Sequence, residues 1–187
     1  MAIREIIFAN DPRLREKAKR VRQFGPELKA LTDDMLETMH AAHGIGLAAP
    51  QIGLLQRIFV AQLPEDEDDP QSNKPFVLVN PEVIKTSRDE VEGEEGCLSI
   101  PTWYGMVWRP EWIVVKAQDV NGKPFRVKAQ GLLARVFLHE MDHLDGVLFI
   151  DRVESPEKLW QVKPEDLQPE SQEDQPRPEA DVVVEMA

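Results

Sequence analysis

Between Gly131 and Gly146 runs a segment that can do little else than form a helix. Leu132, Val136, His139, Glu140 and His143 recur at steps of three and four residues, so their side chains share one side of an α-helix. Glycine just past the last periodic residue is a common helix stop. The face so defined begins apolar and ends in two imidazoles with a carboxylate between them. His139-Glu140-Met141-Asp142-His143 sets two ring nitrogens where they can share one metal ion, with Glu140 able to reach the metal's open side. Only four histidines occur in the chain, which makes chance placement of two in this pattern the weaker reading.

A metal site with catalytic duty wants three protein ligands and one open position. Downstream of His143, Glu154 and Glu165 lie in charged chain and are poor candidates. Upstream, Glu94-Glu95-Gly96-Cys97-Leu98-Ser99-Ile100-Pro101 places the one cysteine between a glycine and a strand-like run. Cys97 is the better third ligand, against the alternatives of a nucleophile or a plain buried thiol. A single cysteine forms no internal disulfide, which fits a reducing compartment. One thiolate with two imidazoles suits iron(II), zinc, nickel or cobalt rather than calcium or magnesium. A third segment, Gly44-Ile45-Gly46-Leu47-Ala48-Ala49-Pro50-Gln51, has two glycines that let backbone approach a ligand closely, followed by Gln51, a neutral donor able to stabilise an oxyanion. Read alone, it is a helix end followed by a turn.

Around these segments the chain reads as one α+β domain. Leu28, Leu31, Met35, Leu36 and Met39 keep helical spacing between Gly25 and Gly44. His40 and His43 end that helix, where a cation complements the dipole, and are read as structural. Asn121-Gly122, flanked by Trp112 to Gln118 and Phe125 to Ala129, predicts an antiparallel hairpin with two positive-φ turn residues. Ile58-Phe59-Val60 and Phe76-Val77-Leu78-Val79 predict strands, joined by a solvated acidic loop over 64–75. Trp103, Tyr104, Trp108 and Trp112 are expected to cover the core. The expected architecture is short antiparallel strands packed around a central helix carrying the HExxH metal motif.

With 187 residues, 42% of them hydrophobic, one core is expected rather than two. The catalytic domain is placed at 1–153. Residues 154–187 form an acidic, proline-rich tail, expected to be disordered from about 164. That tail holds ten acidic and three basic residues, a net of −7 out of the chain's −12. Such a balance argues against a broad nucleic-acid-binding face. No stretch approaches the roughly 18 apolar residues of a membrane span, so no membrane association and a cytoplasmic location are expected.

Together, Gly44-Ile-Gly-Leu-Ala-Ala-Pro-Gln51, Glu95-Gly-Cys-Leu-Ser99 and His139-Glu-Met-Asp-His-Leu-Asp-Gly146 resemble, in order, the three hallmark segments of the peptide deformylase family. The resemblance implies hydrolytic removal of the formyl group from N-terminal formylmethionine of newly made proteins, releasing formate. It implies one Fe2+ on Cys97, His139 and His143, with Zn2+, Ni2+ or Co2+ as substitutes. Glu140 would shuttle the proton, and the Gln51 amide and Leu98 backbone N–H would hold the oxyanion. Ile45 and Gly46 would border the bound peptide, and Arg109 would meet it downstream of methionine. N-formylmethionyl nascent peptides and transient ribosome proximity follow, with a monomer expected and the acidic tail arguing against direct docking on ribosomal RNA. One departure is Leu138, where the family usually has glutamine. Two rival readings stay open: a metalloprotease built on the same helix, and an inert protein with a structural metal.

Overall fold

The run Ile58–Ala61 is buried at all four positions, so the strand it forms must be covered on both faces. The computed structural model, which describes residues 2–163, shows how. Its elements in chain order are α1 (Pro26–Ala41), β1 (Gly46–Ala48), β2 (Ile58–Ala61), β3 (Phe76–Thr86), β4 (Glu90–Cys97), β5 (Ile100–Pro110), β6 (Trp112–Gln118), β7 (Pro124–Gln130), α2 (Leu132–Leu144) and β8 (Leu159–Gln161). Five strands form one sheet in the order β1-β2-β3-β6-β7, and β4-β5-β8 form a second; all described pairings between them are antiparallel. Strand alternation then assigns the cover. Ile58 and Val60 pack with Leu28, Met35 and Met39 of α1, whereas Phe59 and Ala61 pack with Leu133, Phe137 and Met141 of α2. Phe137 meets Phe59 and Phe76 edge-on at 5.2 and 5.4 Å, a geometry that adds to the roughly 1.5–3 kcal/mol each buried ring contributes. On its other flank α2 reaches β5, so it lies between the two sheets.

Both helices end where their sequences direct. Pro26 opens α1 after Gly25, whose φ of +119° only glycine adopts readily. At its far end the left-handed residue is His43, and the Gly44 N–H bonds back to the Met39 carbonyl at 2.9 Å, a Schellman closure. Gly146 closes α2 with φ +75°, packed so tightly that a Cβ would lie 2.6 Å from the Arg15 carbonyl oxygen.

Three details depart from the sequence reading. The strands are not uniformly short, since β3 and β5 each run eleven residues. In the β6–β7 hairpin only Gly122 has positive φ. The Asp119 carboxylate accepts from the Asn121 and Lys123 N–H groups and holds a three-residue loop with one left-handed glycine, not a two-residue turn. Past residue 153 the chain continues into β8, which pairs with β5 and carries the smaller sheet to Gln161. The stretch 164–187, expected to be disordered, lies outside the described residues. Among those described, no helix is long and apolar enough to cross a membrane.

Candidate metal centre

The tip of the β4–β5 hairpin is laid against the last two turns of α2, and this brings the cysteine to the histidines. Cys97 Sγ stands 3.2 Å from His143 Nε2, and one ligand atom from each of Cys97, His139 and His143 falls within 4.8 Å of the others. Bond lengths of about 2.0–2.3 Å in a tetrahedral site imply ligand–ligand separations of about 3.5 Å. The three donors therefore converge at the right scale for one metal ion, as the spacing of the α2 face predicts. They are the only such group among the described residues.

His139 is aimed from behind. Its Nδ1 lies 2.9 Å from Glu95 Oε2, which leaves Nε2 to face the cleft. Glu95 is buried and bonded by Arg109 through Nε and Nη2 at 2.8 and 2.9 Å, and by Arg135 Nη1 at 3.1 Å. Burial opposes its charge, but the hydrogen bonds from Arg109 and His139 outweigh that and hold the carboxyl at about 2. Arg109 also donates to Asp142 Oδ2 at 2.7 Å, and Asp142 is bonded in turn by Arg152. Burial opposes a charge on His139 as well, yet the Cys97 sulfur and Glu95 carboxylate raise its pKa well above the ordinary value. Burial and the charge on His139 push His143 well below it.

Glu140 has the opposite surroundings from Glu95. It is 3% exposed, no arginine among the described residues bonds it, and its Oε2 is buried with no hydrogen-bond partner among them. Burial raises its pKa to about 7, with the charge of Glu95 adding to the shift and that of His139 opposing it. Its other oxygen lies over Gly46: a Cβ there would come within 2.3 Å of Glu140 Oε1. Gly46 is thus a glycine because the carboxylate occupies the space a side chain would fill.

Gln51 is fixed at both ends of its amide. Its Oε1 accepts from the Ala48 N–H at 2.8 Å, and its Nε2 donates to Ser99 Oγ at 3.3 Å and lies 3.6 Å from Cys97 Sγ. Behind it, the Ile7 and Ala9 N–H groups bond the carbonyls of Gln51 and Ser99, tying both segments to the N-terminal stretch. These groups border a cleft of about 420 Å3, to which Ile45, Gly46, Leu98, Leu132 and Val136 contribute.

Of the residues singled out from the sequence, Cys97, His139, Glu140, Gln51, Leu98, Gly46 and Ile45 line this cleft, and His143 stands with Cys97 and His139 in the ligand group. Arg109 does not, and its reading as a peptide contact is corrected. It is 5% exposed, and both ends of its guanidinium are taken by Glu95 and Asp142, so it can neither reach substrate nor serve as a solvated strand end. His43, read only as a helix end, borders the cleft, as do Trp103 and Tyr104, read as core cover. Glu95, Arg135, Asp142 and Arg152 went unassigned in the sequence. The one available signal was the place of Glu95 in the Glu95-Gly-Cys-Leu-Ser99 segment, two positions before the cysteine.

Comparison with known proteins identifies the family. The family model described as polypeptide deformylase matches residues 3–159. A peptide deformylase of Thermomicrobium roseum is 50% identical over 169 residues, covering 89% of this chain and 94% of that protein. Among solved structures, a peptide deformylase from Legionella pneumophila superposes with a TM-score of 0.76 at 46% identity, covering 84% of this chain and 89% of the other. A peptide deformylase from Synechococcus elongatus, solved in complex with actinonin, gives 0.75 at 48% identity and covers 82% of each chain. The chain belongs to the polypeptide deformylase family.

Proposed function

We propose that the cleft hydrolyses the N-formyl group of nascent peptides with Cys97, His139 and His143 as metal ligands, Glu140 as proton shuttle, and the Gln51 amide and Leu98 N–H as oxyanion donors. The overall reaction is the one that family membership carries: the chain is a metallohydrolase that removes the N-formyl group from nascent peptides. The observation that supports the residue roles is the contrast between two buried glutamates 45 positions apart in sequence. Glu95, with its arginine partners, stays ionised at about 2 and can only orient His139. Glu140, with no such partner, has its pKa raised to about 7 and one unbonded oxygen, and it lines the same cleft as Cys97 and His139. A group that both accepts and returns a proton near neutral pH needs the second environment.

A divalent metal, when bound, supplies Lewis acidity toward water and toward the formyl carbonyl. The chain does the rest. Glu140 takes a proton from the attacking water and delivers it to the amine as formate leaves. Gln51 Nε2, anchored through its carbonyl to Ala48, presents a donor that needs no reorganisation when charge develops on the oxygen. The glycine segment, without side chains at 44 and 46, lets the peptide backbone approach between Ile45 and the β4–β5 hairpin. We assign iron(II) as the resident metal, with zinc, nickel or cobalt able to replace it, because a mixed sulfur and nitrogen donor set accepts all four. The same reading carries a cytoplasmic monomer that works near ribosomes as chains emerge, with the acidic tail following the catalytic domain.

Anaerobically purified protein is expected to hold about one metal per chain and to release formate from a formyl-Met tripeptide. Cys97→Ser is expected to lose metal, and Glu140→Ala to keep metal while losing turnover. Metal bound without formate release overturns the assignment. Cleavage of unformylated internal peptide bonds favours a metalloprotease instead.

A further inference from the structure

In a strand, neighbouring side chains point to opposite faces, yet Thr102, Trp103 and Tyr104 of β5 all border the cleft. The backbone explains this. Thr102 has φ +70°, a left-handed conformation that a β-branched residue avoids unless its surroundings impose it. β8 imposes it. The Val162 N–H donates to the Thr102 carbonyl at 2.8 Å, and Gln161 Nε2 donates to Thr102 Oγ1 at 3.1 Å. Two residues on, Tyr104 pairs directly across from Trp160, with ring centroids 6.5 Å apart and planes within 21°. From there the Tyr104 ring lies over Gly96, the residue before Cys97, where a Cβ would meet Tyr104 Cε1 at 2.7 Å. The strand is pinned at its other end as well, since Lys158, just before β8, is paired to Glu92 of β4 and to Glu154.

A formylated N-terminus limits how a substrate can lie here. The formyl carbon must sit beside Glu140 and Cys97, and the chain can leave that point in one direction only, toward solvent. Trp103 is 36% exposed, which places it on the open side of the cleft. We propose that β8 is a positioning element for substrate: by holding Thr102 left-handed and Tyr104 against Trp160, it builds the aromatic wall that binds the peptide beyond formylmethionine. Aromatic faces contact backbone and side chains without a hydrogen-bond code, so the wall accepts many sequences while favouring length. This rests on the deformylase reading of the cleft.

The test compares kcat/KM for formyl-methionine amide, formyl-Met-Ala and formyl-Met-Ala-Ser in the wild type and in Trp160→Leu, Trp160→Phe and Gln161→Ala, each with metal content measured. For Trp160→Leu and Gln161→Ala the expected result is loss that grows with length: within twofold of wild type on the amide, about tenfold lower on the tripeptide, carried by KM. Trp160→Phe, which keeps a ring against Tyr104, should retain the tripeptide rate. An equal fall on all three substrates makes β8 a general structural support and overturns the proposal, as does no fall on any. Should Trp160→Leu fail to fold, Gln161→Ala, a change at an exposed side chain, carries the same comparison. If the wild type releases formate from none of the substrates, the deformylase reading itself fails, an outcome distinct from loss of length dependence.

Discussion

Replacing Arg109 with methionine separates the buried network from the substrate contact that the sequence suggested. The change keeps most of the side-chain volume but removes a cation bonded to two buried carboxylates, Glu95 and Asp142. Its cost can be bounded in two ways. Glu95 is held at about 2 against an ordinary 4.5: burial works against that shift, and the hydrogen bonds from Arg109 and His139 outweigh it. At 1.36 kcal/mol per unit, the shift is worth about 3 kcal/mol. Independently, removing one partner of a buried ion pair costs about 3–5 kcal/mol. Arg135 and His139 remain on Glu95 and Arg152 on Asp142, so the lower end applies, about 3 kcal/mol. In a chain of this size that lowers Tm by about 6–12 °C. The sign with pH follows from a depressed carboxylate pKa. The stabilisation is fully present above pH 4.5 and is lost as pH falls toward 2, so the gap between wild type and Arg109→Met should narrow over that window. Equilibrium unfolding in urea at pH 7, with metal concentration fixed, reads the difference directly. Glu95→Gln and the double variant complete a cycle whose coupling should exceed 1 kcal/mol. Stability within about 0.5 kcal/mol of wild type, together with a raised KM for the tripeptide, would refute this reasoning and return Arg109 to the cleft.

Three further outcomes follow from the site. Glu140→Gln should keep one metal per chain and lose about 10²–10⁴-fold in kcat, and near-normal turnover would remove it from the mechanism. Gly46→Ala faces no left-handed backbone but would put a methyl within 2.3 Å of Glu140 Oε1; overpacking should cost about 1–3 kcal/mol and turnover should fall steeply, whereas full activity would show the carboxylate free to sit elsewhere. Chelation should abolish formate release and added iron(II) restore it, with iron-loaded enzyme decaying in air; equal activity with and without oxygen while iron stays bound would count against iron on a thiolate.

Much of the fold was legible because period and punctuation suffice for it. The 3.6-residue repeats of α1 and α2, the glycines beyond them and the apolar runs of β2 and β3 each appear where their patterns place them. The misjudged details depend on particular side-chain contacts, one of them local and the others distant in sequence, that a pattern of residue types does not display. Asn121-Gly122 reads locally as a two-residue turn, but the Asp119 carboxylate selects a longer loop with one left-handed residue. Leu159–Gln161 is too short and too polar in its flanks to signal a strand, and forms one because β5 offers it a free edge and Trp160 a ring to stack on. No local pattern marks Thr102 as left-handed, since only contacts from β8 make it so.

The ligands were legible for a different reason: a metal needs donors of restricted type, and the chain has few of them. Charged residues offer no such scarcity. Arginine and glutamate are read by default as surface, and Arg109, Arg135, Glu95 and Asp142 are scattered over β4, β5 and α2, three elements with no pattern in common. Their meaning appears only when the hairpin is laid on the helix. Then two glutamates of the same chemistry part company: Glu95, carried by β4 into a ring of cations, is held ionised and orients a ligand, while Glu140, carried by α2 against a glycine and bonded by no arginine among the described residues, has its pKa raised to about 7. The sequence identifies both as acids. Only the packing decides which one stays ionised and which one can exchange a proton at pH 7.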